Sequence, residues 1–204
     1  MFLARFEHEK FPAEHMQNNS FLHLHKRLYF SLFDPVQASI VAAHELHSNF
    51  VIVPYNQGFG SDFRQQLELI ERGPISLAEI YSFDCMMRAV ARQNPDSKLI
   101  ICTGSLSAIR ARTALLVGCY MLLSIGLDLE KILQLFAPLH DLPKCPINDN
   151  NEDCAWSKEL TASSCWGALA TARKHRWIEF GRPFGGGDND CKSLSVEEYL
   201  HYSE

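Results

Sequence analysis

The sequence predicts an α/β fold, and two observations carry that prediction. Leu99-Ile100-Ile101-Cys102 is a β-rich apolar run bounded upstream by the turn cluster Asn94-Pro95-Asp96-Ser97, which reads as a buried strand. After a short loop comes Thr113 to Ile125, almost wholly apolar, too long for a strand and too short to span a bilayer. Strand, anion-sized loop and buried helix thus form one unit around which the chain is organised. A helix N-terminus with free backbone N–H groups and an arginine beside it is a natural phosphate cradle.

Taken in order, residues 1–26 read as an extension of weak periodicity, in which Phe2, Phe6, Phe11 and Phe21 suggest packing on the domain or on a partner. His8, His15, His23 and His25 lie here, but only the last two are close, and an i, i+2 pair without Cys or carboxylate support is a poor metal ligand set. Leu28 to Leu32 is a strand ending at Asp34-Pro35, where Asp suits a helix cap and Pro the first helical position, so a helix is expected from Val36 to His47. Phe50 to Val53 is a second strand. Gly58 and Gly60 follow as turn glycines, without the third glycine and spacing of a nucleotide fingerprint. Asp62 to Arg72 has helical character.

Ser76-Leu77-Ala78-Glu79 is a capping box opening a helix to Gln93, with Leu77, Ile80, Tyr81, Met87 and Val90 as its apolar face. Beyond the central strand the buried helix should end near Gly126. Asp128 then caps a helix from Leu129 to Phe136, with Ile132, Leu133 and Phe136 inward. Residues 138–160 form an exposed loop whose Asp149, Glu152 and Asp153 lack the spacing of a calcium loop. A helix resumes from Thr161 through Trp166, Leu169 and Ala170 to His175, and Gly185-Gly186-Gly187 reads as a hinge before the acidic end.

The 204 residues suit one domain, and the composition, 47% apolar and 21% charged, is ordinary for a globular chain. A net charge of −5 argues against nucleic acid and favours basic partners. No apolar run has membrane-spanning length, so no membrane partner is expected. Seven cysteines without a C-x-x-C pair indicate free thiols in a reducing, intracellular compartment, with neither a zinc site nor any other cofactor.

Protein tyrosine and dual-specificity phosphatases carry His-Cys-x-x-Gly-x-x-Arg-Thr, then an apolar helix with Tyr eight residues after the Arg. The stretch Lys98 to Leu123 resembles that unit. Placing Arg112-Thr113 on the Arg-Thr and Tyr120 on the Tyr puts Ser105 on the His, Leu106 on the nucleophilic Cys and Ile109 on the Gly. Leucine has no lone pair to attack phosphorus. Ile109 tolerates poorly the positive φ that a Gly supplies where the loop bends round phosphate. Cys102 falls on the strand as a core thiol. Ser105 and Ser107 lack an evident base. Arg112, with Arg110 nearby, either binds an anion or pairs with a carboxylate that holds the loop closed.

The resemblance narrows to the N-terminal domain of the cell-division-cycle-fourteen phosphatases. It rests on Arg27-Leu28-Tyr29-Phe30, on Gly73-Pro74-Ile75-Ser76-Leu77-Ala78 with Tyr81, on Lys98-Leu99-Ile100-Ile101, on the Arg112 loop with Ala114 to Tyr120, and on Val196-Glu197-Glu198-Tyr199-Leu200-His201-Tyr202. It implies a dual-specificity phosphatase-like fold over 27–204, a central mixed sheet with helices on both faces, and no catalytic nucleophile. In that family the domain packs on a catalytic one and helps form an acidic groove; Asp188, Asp190, Glu197 and Glu198 are the corresponding acidic candidates here, although an exposed tail explains them equally.

Three functional classes follow. The first is a non-catalytic phosphatase-like module acting through protein contacts, with a catalytic phosphatase domain or a larger, cytoskeletal or nuclear, assembly as partner. The second is a pseudophosphatase that reads phosphoproteins through Arg110 and Arg112. The third is an active phosphatase with a displaced nucleophile.

Overall fold

A computed structural model of the chain describes residues 21–46, 49–54, 75–103, 107–139 and 161–178. Its sheet has four strands in the order β1 (Phe21–His25), β2 (Leu28–Ser31), β4 (Lys98–Cys102), β3 (Phe50–Pro54). β1 runs antiparallel to β2, while β2 and β3 both run parallel to β4, so the sheet is mixed. β4 is central because its side chains are apolar on both faces, as a strand covered by helices on either side requires. Leu99 and Ile101 join Phe30, Val53 and the larger helical layer; Ile100 and Cys102 point the other way, onto Ala38 and Ala42.

Helix α1 (Pro35–Glu45) covers the second face. The carboxylate of Asp34 caps it, accepting from the N–H groups of Val36 (2.9 Å) and Gln37 (3.0 Å). On the first face lie α2 (Leu77–Gln93), α3 (Ser107–Tyr120), α4 (Leu129–Phe136) and α5 (Ala162–Lys174). The hydroxyl of Ser76 accepts the Glu79 N–H at 3.2 Å, as the capping box predicts. At the far end of α2, Arg27 donates to the carbonyls of Ala91 (2.7 Å), Ser97 (3.1 Å) and Asn94, fastening the β1–β2 turn to the helix terminus.

Three expectations change. Residues 21–25, read as part of an extension, form an edge strand: Phe21 pairs with Ser31 and Leu24 is buried. The phosphate-loop segment after position 106 is helical from Ser107 onward, because Ile109 stands where a glycine would turn the backbone away from helix. Leu133 is 38% exposed, whereas Ile132 and Phe136 face inward; one residue round from Ile132 is about 100° away from the core.

The apolar helix ends as expected at Gly126, in the left-handed conformation (φ 86°), but its last turn, Met121–Ile125, is π-helical. Trp166 on α5 lies against Gly118 on α3, where a Cβ would overlap the indole ring, and its Nε1–H donates to the Leu115 carbonyl at 3.0 Å. This close approach seats α5 on α3. The positions Gly58, Gly60, Asp62, the helix over 62–72, the acidic loop with Asp149, Glu152 and Asp153, and Gly185 to Gly187 lie outside the described residues.

Candidate functional site

The site that the sequence singles out lies where β4 passes into α3. Ser105 and Leu106 lie outside the described residues, as do Asp188, Asp190, Glu197 and Glu198. Ile109, Arg110, Arg112 and Thr113 are all on α3. Ile109 and Thr113 are buried, one turn apart, and the Thr113 hydroxyl donates to the Ile109 carbonyl at 2.7 Å. The backbone N–H groups of Arg112 and Thr113 lie beyond the first helical turn, so they are used inside the helix. They cannot also cradle an anion.

Arg112 is 3% exposed and commits its guanidinium to Glu79 on α2. Its Nε donates to Oε1 at 3.0 Å and its Nη2 to Oε2, the two-point geometry that suits a planar guanidinium and a carboxylate. Arg110 is half-buried and two positions away on the same helix. Side chains at i and i+2 lie on different faces of a helix.

The thiol of Cys102 lies in the core behind α1. It is 2% exposed, and burial, with the nearby Asp34 charge, pushes its pKa up to about 12. The thiolate is the form that attacks phosphorus or binds metal, and burial here favours the protonated thiol. Around it, Thr103 donates through both N–H and Oγ1 to the Ser31 carbonyl at 3.3 Å, and the Ser31 hydroxyl accepts the Phe33 N–H at 3.2 Å. These bonds knit the end of β4 to β2 and leave the strand end rigid.

A second polar cluster was not singled out from the sequence. Asp84, on the buried face of α2, is fully buried; the Ser124 hydroxyl in the π-helical turn donates to its Oδ1, and Arg88 Nε lies 2.8 Å from Oδ2. Burial pushes the Asp84 carboxyl up, against the opposing pull of Ser124 and Arg88. The signal was available, since Asp84 lies four residues after Ile80 and three before Met87, on the apolar stripe. The cluster ties α2 to the π-helical turn.

Among the described residues no three His, Cys, Asp or Glu side chains gather into a metal site. His23 contacts the Lys26 carbonyl through Nε2 at 2.7 Å and packs on Tyr29. Among the described residues, Cys85, Cys102 and Cys119 take part in no disulfide. No described helix is long and apolar enough to cross a membrane.

Residues 22–172 match the family described as dual specificity protein phosphatase, N-terminal half. The chain is also similar to the dual specificity protein phosphatase CDC14C of Homo sapiens, at 25% identity over 134 residues. That match covers 65% of this chain and 27% of the human protein, so the chain spans about a quarter of its relative's length.

Proposed function

We propose, from the premise that the chain belongs to the dual specificity protein phosphatase N-terminal-half family, that it is a non-catalytic module working through protein contacts. The observation that carries this reading is the engagement of Arg112. In an active member of the superfamily that arginine clamps the phosphoryl group; here it is buried against Glu79, at the second turn of a helix that begins one residue after Leu106. Leucine stands at the nucleophile position and the arginine is paired with Glu79, which supports contact through the surface over phosphate chemistry. The partner is a protein: a catalytic phosphatase domain or a larger intracellular assembly, where free thiols such as Cys102 and Cys119 persist.

Two measurements test this. Purified chain should turn over no generic aryl phosphate; turnover that disappears in Cys102→Ala would overturn the non-catalytic reading. In native cell extract, the chain should elute in a species well above 23.2 kDa, either joined to further domains or bound to a partner. Elution as a free 23.2 kDa monomer would overturn the contact role.

A further inference from the structure

The C-terminal end of α5 carries Arg173, Lys174, His175 and Arg176 in succession, then Trp177, all exposed, in a chain whose net charge is −5. A basic last turn suits the helix dipole, and the run could be no more than that. Trp177 does not fit so plain an explanation. It is 73% exposed, although the chain is held firmly on either side of it. Its N–H donates to the Ala172 carbonyl at 2.9 Å and that of Arg176 to the Arg173 carbonyl at 3.0 Å, a helix-closing motif with Arg176 left-handed at φ 57°. The following residue, Ile178, packs on the core. The indole is thus fixed facing outward, with the His175 ring stacked on it at 5.2 Å.

The same helix end borders a groove of about 280 Å³. Leu122, Leu127 and Leu129 line it together with Ala170 and the charged residues Asp128, Arg173 and Lys174. Arg173 is braced there, donating through Nη1 to the Leu122 carbonyl at 2.6 Å. Among the described residues no carboxylate lies within ion-pair distance of Lys174 or Arg176. A shallow groove with charged lining, an outward aromatic and a set of cations therefore meet at one place.

We propose that this surface docks an acidic segment of a partner protein, with carboxylates on Lys174, Arg176 and Arg173 and an apolar side chain of the segment against the exposed Trp177 indole. The inference deepens the contact role proposed above and rests on it. Charge complementarity selects the occupant: the chain as a whole repels a long polyanion, while a short acidic segment meets only the local cations.

The test uses the full chain and a fluorescein-labelled peptide with a Leu-Phe pair flanked by glutamates, followed by anisotropy. Saturable binding is expected, weakened at least about tenfold by Lys174→Glu with Arg176→Glu, by Trp177→Ala, and by lysines in place of the peptide's glutamates. All three changes in the protein are at exposed positions, so folding is retained. No binding, or binding indifferent to charge reversal, would overturn the surface while leaving the non-catalytic role to the turnover assay and elution measurement. Equal affinity for labelled single-stranded DNA would overturn the assignment to protein. Markedly tighter peptide binding after Asp188→Asn, Asp190→Asn, Glu197→Gln and Glu198→Gln together would mean that the chain's own acidic end fills the site, and would overturn the assignment to a partner.

Discussion

Glu79 and Arg112 hold one another by two parallel hydrogen bonds across the interface between α2 and α3, with the arginine 3% exposed. Removing either partner takes a two-point ion pair from the other, and for the arginine that charge is buried. Glu79→Ala is expected to destabilise the fold by about 3 kcal/mol, as for other half-broken buried pairs. Replacing both, with Glu79→Leu and Arg112→Met, should recover most of that loss, because two apolar side chains need no partner. Urea unfolding of the two variants checks this. Equal destabilisation by the single and the double change would mean that the pair itself, rather than the orphaned charge, dominates.

The same pair bears on chemistry. A cysteine placed at the superfamily's nucleophile position, Leu106→Cys, is expected to give no aryl phosphate turnover above the wild-type background. Arg112 stays on Glu79, and Ile109 stays helical, so the new thiol would face neither a clamp nor a ring of backbone donors. Measurable turnover in this variant would show that the first turn of α3 unwinds to form a working loop.

Gly118 and Trp166 form a close contact between α3 and α5. Gly118→Ala sets a methyl group into the indole and should cost about 3 kcal/mol, the upper end for overpacking. In a Trp166→Leu background the same alanine should be close to neutral, since the overlap is gone and alanine favours helix. Thermal unfolding of the four proteins in this cycle gives the coupling, and additive effects would remove the contact from the account.

Much of this was legible in the sequence, and the omissions have physical causes. β4 and α3 announce themselves as unbroken apolar runs. The caps at Asp34 and Ser76 follow from local chemistry alone. β1 does not announce itself, because Phe-Leu-His-Leu-His mixes polar and apolar residues as an edge strand can, and its partner supplies half the pattern. Glu79 reads as a capping residue; its second task, on Arg112, depends on a helix that lies 33 residues away. Gly118 looks like a weak point in a helix until Trp166, 48 positions later, is brought over it. A helix starting already at Ser107 depends on how far the helix propagates backward. No residue type marks that point.

Cys102 supplies the last test, through pH. Its folded pKa of about 12 lies above the ordinary value of 9.0, chiefly because burial disfavours the thiolate. A raised pKa means that the folded state keeps its proton when the unfolded chain would lose it. The stability tied to this group is therefore intact below pH 9 and is lost as pH rises from 9 towards 12. Removing the thiol with Cys102→Ala should flatten the fall in stability with pH over this range, by up to about 1.4 kcal/mol per pH unit. The difference in slope between wild type and variant isolates this thiol from the buried Cys119, which is pushed up in the same direction and contributes equally to both proteins. At pH 8 the folded chain should also protect Cys102 from iodoacetamide, read by peptide mass after quenching. Alkylation there at the rate of an exposed thiol would mean that the strand end opens, and would return Cys102 to consideration as a nucleophile.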